Sequence, residues 1–200
     1  MTTPEAAPRF NLYLIKDFFD ARLCGEIIDE LCRAPEDLAK VYGQGEGGAV
    51  DERVRKATRL LPPVETVERV NQRLLSVREK VGAHFGIPLS TCEDPQFLRY
   101  RVGDFFVAHQ DGNTGMLLSE REQSRKTSLV IFLNRQSETS EVDSYGGGSL
   151  VFSEWRAGRT RGQYSLTGET GMLVAFPAET THEVIPITRG ERYSIVSWYG

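Results

Sequence analysis

After Pro95 the chain reads as a succession of short strands and little else. The segments QFLRYRV, FFVAHQD, TSLVIFLN, GSLVFSE, GMLVAFP, THEVIPI and RYSIVSWYG are rich in β-branched and aromatic residues. Polar or glycine-rich turns separate most of them, and no long helical period intervenes. Such segments can bury their apolar faces only against one another, which predicts an antiparallel sandwich or barrel.

The preceding half follows a different period. Asp20 is placed to cap a helix in which Leu23, Ile27, Ile28 and Leu31 share one face. A second helix is expected from about Pro62–Pro63, because proline suits a first turn. Val67, Val70, Leu74, Val77 and Val81 then recur at three and four, and Gly82, Gly86 and Pro88 end the run. YGQGEGGAVDERVRK, between the helices, reads as a polar and mobile loop. The fold class is therefore α+β. One domain over residues 1–200 is expected, with a helical support region at 1–94 and a β core at 95–200.

Charge and cysteine content exclude several roles. A net charge of −4 and a pI near 5.5 give no electrostatic reason to bind nucleic acid, apart from a local cluster at Arg156, Arg159 and Arg161. No apolar run is long enough to cross a bilayer, and MTTPEAAPRF lacks a signal-like hydrophobic region. A cytoplasmic protein with no membrane partner is expected. Cys24, Cys32 and Cys92 show no close CxxC spacing. Cys24 and Cys32 fall in the helical pattern as small apolar residues, and no zinc-ligand pair is visible.

The chemistry starts at AHQDG. On an extended strand, side chains at i and i+2 point the same way, so His109 and Asp111 can aim an imidazole and a carboxylate at one point. Of the three histidines, His84 ends the helical region and reads as structural or exposed. His182 lies on a later strand, and the fold must bring it to His109. Two histidines and one carboxylate form the facial set that leaves iron positions open. A hydrogen-bonded strand histidine beside Glu183 is the plainer alternative. Arg192 adds a cation inside an apolar strand, which is costly unless it meets an anion. A salt bridge to Glu191 or Glu183 would also satisfy it, although strand neighbours face opposite ways.

The order YRVGDFFVAHQD, KTSLVIFLN, GGGSLVF and GMLVAFPAETTHEVIPITRGERYSIVSWYG resembles the catalytic domain of prolyl 4-hydroxylase-type 2-oxoglutarate/Fe(II) dioxygenases. The resemblance covers roughly residues 95 to 200. It implies a double-stranded β-helix, or jelly roll, buttressed by N-terminal helices. It also implies that His109, Asp111 and His182 bind Fe(II) and that Arg192 binds the distal carboxylate of 2-oxoglutarate. Tyr100 matches an aromatic position lining the co-substrate pocket. Phe132 stands where several relatives carry a tyrosine hydroxyl for the same carboxylate, so Ser128 or Tyr100 is expected to substitute. Thr188 and Ser194 are weaker candidates, read as ordinary strand residues.

The implied reaction consumes O2 and 2-oxoglutarate, releases succinate and carbon dioxide, and hydroxylates a C–H bond, with ascorbate as reductant. Related halogenases lack the carboxylate, so Asp111 argues for hydroxylation. A peptidyl proline is the leading substrate, followed by a free amino acid or another small molecule. A cupin-like metalloprotein not using 2-oxoglutarate is a further alternative, but it would not need Arg192. The polar connections at 112–126 and 135–147 are expected to act as lids or binding rims.

Overall fold

The structure, a computed structural model, describes residues 10–39, 50–112, 120–156 and 159–200, with the side chains of 121, 155, 156 and 159–161 left aside. The side chains of the arginine cluster at 156–161, the stretch 40–49 of the glycine-rich loop, and 113–119 of the first polar connection lie outside this description. The first part of the chain comprises β1 (Tyr13–Ile15), α1 (Ala21–Leu31), β2 (Glu36–Leu38), β3 (Arg55–Lys56), β4 (Thr58–Leu60), α2 (Val64–Leu75) and α3 (Arg78–Phe85). Next come β5 (Gln96–Tyr100), β6 (Phe105–His109), α4 (Glu120–Ser124), β7 (Thr127–Phe132), β8 (Arg135–Gln136), β9 (Ser144–Gly147) and β10 (Leu150–Arg156). The chain closes with β11 (Arg159–Leu166), β12 (Leu173–Pro177), β13 (Thr181–Val184), β14 (Ile187–Arg189) and β15 (Arg192–Tyr199).

Two mostly antiparallel sheets face each other. The larger runs β1-β12-β7-β15-β5-β4-β2, the smaller β11-β10-β13-β6-β3, and β14, β9 and β8 form a short third sheet. Alternation along the strands divides the interior in two. Phe97, Leu129, Ile131, Leu173 and Ile195 pack outward against Ile27, Leu31, Val70 and Leu74 of the helices. Leu98, Val130, Phe132 and Phe176 point inward to meet Leu150 and Phe152 of the smaller sheet. A sheet covered on both faces explains why β7 is buried at all of its positions and reads as one apolar run.

The helices keep their expected faces, with one break. Asp20 Oδ1 accepts from Leu23 N at 2.8 Å and starts α1. The second periodic run is two helices rather than one, because the chain leaves helical geometry between Ser76 and Val77, where Val77 has φ −111° and ψ −3°. Gly86 then ends α3 at φ 69°, a left-handed cap that glycine adopts without strain. Burial pushes the Cys24 thiol up to about 12, consistent with a small apolar residue. Cys32 departs from that reading: it is exposed, with Sγ 3.5 Å from the Tyr193 hydroxyl.

The N-terminal region is not helical support alone. It supplies β1, β2 and β4 to the larger sheet and β3 to the smaller one. These strands are two or three residues long, too short to show a period of two in the sequence.

The connection at 135–147 is also more structured than a lid. β8 pairs in parallel with β9, Ser137 N donates to Tyr145 O at 2.9 Å, and Arg189 Nη2 donates to the carbonyls of Ser137 and Thr139 at 3.0 and 2.6 Å. The amides of Gln136 and Ser137 are accordingly expected to exchange slowly without ligand. Hydrogen exchange checks this, and rates like those of an unstructured peptide would restore the mobile-lid reading.

Candidate active site

β6 and β13 run antiparallel with His109 and His182 as direct Cα partners, which joins residues far apart in the chain. Their ring centroids lie 4.2 Å apart. Asp111 falls beyond the end of β6, so strand alternation does not place it. The turn does: Asp111 N and Gly112 N both donate to Ala178 O, at 2.9 and 3.1 Å. The carboxylate then sits between the imidazoles, with Oδ1 3.5 Å from His109 Nε2 and Oδ2 3.5 Å from His182 Nε2. One ligand atom from each residue lies within 4.8 Å of the others.

The hydrogen bonds fix the tautomers. His109 Nδ1 lies 2.8 Å from Val107 O, and His182 Nδ1 lies 2.9 Å from Thr180 O. A carbonyl only accepts, so each Nδ1 carries a proton, and in the neutral imidazole Nε2 is then the nitrogen with the free lone pair. Burial, reinforced by His109, pushes His182 down to about 4 and keeps it neutral, although Asp111 opposes this. Burial alone would raise Asp111, but the charge that His182 and His109 carry when protonated, with the Ser128 hydroxyl, outweighs it and holds the carboxyl well below its usual range. Two imidazoles and one carboxylate, with no thiolate among them, are a donor set suited to ferrous iron.

Ser128, expected to take part in co-substrate binding, meets Asp111. Its Oγ donates to Asp111 Oδ2 at 2.7 Å, so this hydroxyl is committed to a candidate iron ligand. Ser128→Ala should weaken Fe(II) binding about tenfold, a typical loss when a ligand's own partner is removed. Equilibrium metal titration measures this, and unchanged affinity would show that Asp111 needs no such support.

Arg192 opens β15 and is 1 % exposed. Its Nη1 donates to Gly148 O at 2.9 Å, and its Nε has no hydrogen-bond partner among the described residues. The carbonyl is presented by a glycine turn, with Gly147 at φ 67° and Gly148 at φ 62°. The guanidinium carbon lies 5.4 Å from the Tyr100 ring centroid and 5.0 Å from that of Phe132. Among the described residues no carboxylate pairs with it. Glu191, one suggested partner, instead receives the Tyr193 hydroxyl at 2.7 Å and Arg101 Nε at 3.2 Å. Tyr100 and Arg192 line the same cavity as His109, Asp111 and His182. Thr188 is exposed, and His84, also exposed, meets Asn11 Oδ1 at 3.2 Å.

The cavity has further walls that residue-by-residue reading missed. Arg125 stacks over the Trp198 ring at 3.7 Å, grips Glu93 through Nε and Nη2 at 2.5 and 2.9 Å, and donates from Nη1 to Asp111 O at 3.3 Å. Phe106 stacks on His109 with centroids 3.5 Å apart. Arg192, Ser194, Val196 and Trp198 all face the cavity from β15. Ser194 was named as a weaker candidate, and period-two reading of RYSIVSWYG from Arg192 would have found Val196 and Trp198.

Comparison with known proteins agrees with this geometry. The sequence profile of the 2OG-Fe(II) oxygenase superfamily matches residues 95–200. A PKHD-type hydroxylase of Shewanella oneidensis is 36 % identical over 104 residues, 52 % of this chain and 41 % of the relative. One from Methylobacterium nodulans is 27 % identical over 172 residues, 84 % of this chain and 70 % of the relative. The chain thus spans about two-fifths of the length of several curated relatives. In fold it is similar to a Pseudomonas putida prolyl-4-hydroxylase, with TM-score 0.65 and 21 % identity over 95 % of this chain and 92 % of that one. It is also similar to a Trichoplax adhaerens prolyl hydroxylase solved with a hypoxia inducible factor peptide fragment, with TM-score 0.68 and 16 % identity over 94 % and 83 %.

Proposed function

The chain belongs to the 2OG-Fe(II) oxygenase superfamily, and from that premise we propose that it hydroxylates a substrate C–H bond using Fe(II), 2-oxoglutarate and O2. The observation that carries this reading is one cavity lined by the His109–Asp111–His182 set and a buried arginine with no carboxylate partner among the described residues. A cupin-like protein working without a diacid leaves Arg192 unexplained.

His109 Nε2, His182 Nε2 and an Asp111 carboxylate oxygen would hold the iron. Bound there with 2-oxoglutarate, iron supplies the oxidising chemistry that ends in succinate, carbon dioxide and a hydroxylated substrate. Val107 O and Thr180 O keep both imidazoles in the ligating tautomer. Ser128 fixes the Asp111 carboxylate by binding Oδ2. Arg192 draws the distal carboxylate of the diacid, which orients its other end toward the metal. Tyr100, Leu98 and Leu150 line the same cavity and keep water from that charge pair.

We place a peptidyl proline first among substrates. Support comes from the fold neighbours, one named a prolyl-4-hydroxylase and one solved with a peptide. Purified protein incubated with Fe(II), ascorbate, 2-oxoglutarate and a proline-containing peptide library should yield succinate and peptides heavier by one oxygen. Succinate with oxygen added only to free amino acids would move the substrate to a small molecule. Failure to turn over 2-oxoglutarate with any substrate would overturn the reading.

A further inference from the structure

Of the three candidate ligands, Asp111 alone lies outside a strand, beyond the end of β6. Its turn is held by two amides on Ala178 O, and Ser128 holds one carboxylate oxygen. A further contact comes from Arg125, whose Nη1 donates to Asp111 O at 3.3 Å. The turn also lies directly against this residue. A Cβ on Gly112 would come 2.7 Å from Arg125 Cβ and 2.9 Å from Arg125 O.

All three guanidinium nitrogens of Arg125 are committed. Nε and Nη2 meet the two carboxylate oxygens of Glu93 at 2.5 and 2.9 Å, and Nη1 meets Asp111 O. Such a two-point grip fixes the plane of the guanidinium as well as its place. The flat face rests on Trp198, with 3.7 Å from the guanidinium carbon to the ring centroid. Glu93 is anchored in turn. Its N donates to Trp198 O at 2.9 Å, and its O accepts from Ser197 Oγ at 2.6 Å, which ties it to β15. The Arg125 and Glu93 side chains are only 6 % and 13 % exposed.

A buried cation beside a carboxylate ligand acts in two opposed ways. Bonded to the carbonyl of Asp111, it steadies the turn and so aims the side chain. Left unpaired, it would seek the carboxylate itself, where a charge-assisted bond is stronger than one to a carbonyl. Glu93 prevents this, because it takes two of the three nitrogens and balances the charge. We propose that Arg125 and Glu93 form a positioning pair for the iron centre: Arg125 aims the turn that carries Asp111, and Glu93 keeps the guanidinium off the carboxylate that the metal needs. The proposal rests on the iron assignment above and adds two residues that are not themselves ligands.

Co(II) is the probe, since its titration gives affinity and its visible bands report ligand geometry. It is added to the metal-free full chain, with thermal unfolding on the same preparations to confirm the fold. The double variant Glu93→Gln/Arg125→Met removes the pair without changing net charge. It should bind Co(II) about tenfold more weakly, with shifted bands, as expected when a ligand loses its support. Glu93→Gln alone should lose more than the double variant, because it releases the cation toward Asp111. Arg125→Lys, which keeps a charge for Glu93, should fall between wild type and the double variant. In an Asp111→Ala background the double substitution should change affinity by less than about twofold, since its effect passes through Asp111. Unchanged affinity and bands in both Glu93→Gln and the double variant overturn the proposal. An equal loss with and without Asp111 overturns it too, and reduces the pair to packing. If Asp111→Ala binds Co(II) as tightly as wild type, the iron assignment itself fails.

Discussion

Asp111→Ala loaded anaerobically with Fe(II) should lose most of its bound iron, with affinity falling at least about 100-fold. Removing a ligand's supporting partner already costs roughly 10- to 100-fold, and Asp111 is itself the anionic ligand in the proposed site. It also separates two imidazole edges, each 3.5 Å from one of its oxygens. Without it, two neutral nitrogens remain to hold a dication, and the Ser128 hydroxyl is left with no acceptor at that point. Asp111→Asn separates charge from shape, because the amide fills the same space without the negative charge. It should bind iron more weakly than wild type and no better than about tenfold above the alanine variant. Metal analysis after buffer exchange measures both, with circular dichroism to confirm the fold. Full iron occupancy in both Asp111→Ala and His182→Ala would sink the assignment of the centre.

How much of this was legible in the chain depends on the length scale of each signal. The strands of the core were visible because β5, β7, β12 and β15 are five to eight residues of apolar or alternating pattern. The His109–Asp111 pair was visible as residue types, but for a partly mistaken reason. Asp111 is returned to the site by two bonds to Ala178 O, not by strand alternation, and nothing local in AHQDG announces them. β1 to β4 were illegible because two- or three-residue strands carry no period. The break between α2 and α3 was hidden because the apolar spacing of Leu74, Val77 and Val81 continues across it. The contact of Ser128 with Asp111 was hidden for a different reason. Both neighbours of a strand serine are visible in sequence, but the group its hydroxyl reaches belongs to another segment.

Arg192→Met should bind 2-oxoglutarate about 100-fold more weakly while keeping its iron. A hydrogen bond to a charged group contributes roughly 1.5–3 kcal/mol, and ~1.4 kcal/mol is one decade. At 1 % exposure no solvent screens this cation, so the upper part of that range applies. Methionine retains an apolar stem of similar reach against Tyr100 and Phe132, although Gly148 O loses its donor. Arg192→Lys should fall between, because one ammonium cannot hold Gly148 O and both carboxylate oxygens in the planar manner of a guanidinium. Stability should move the opposite way. A buried cation without an anion carries a desolvation cost that two aromatic faces and one carbonyl offset only in part. The ligand-free Arg192→Met protein should therefore unfold at a temperature no lower than wild type. Adding 2-oxoglutarate should raise the melting temperature of the wild type far more than that of the variant, since a ligand stabilises in proportion to its affinity. Calorimetric titration and thermal unfolding on the same preparations give both quantities. Equal affinity for 2-oxoglutarate in Arg192→Met and wild type would assign the carboxylate to another residue and return the cupin-like alternative to contention.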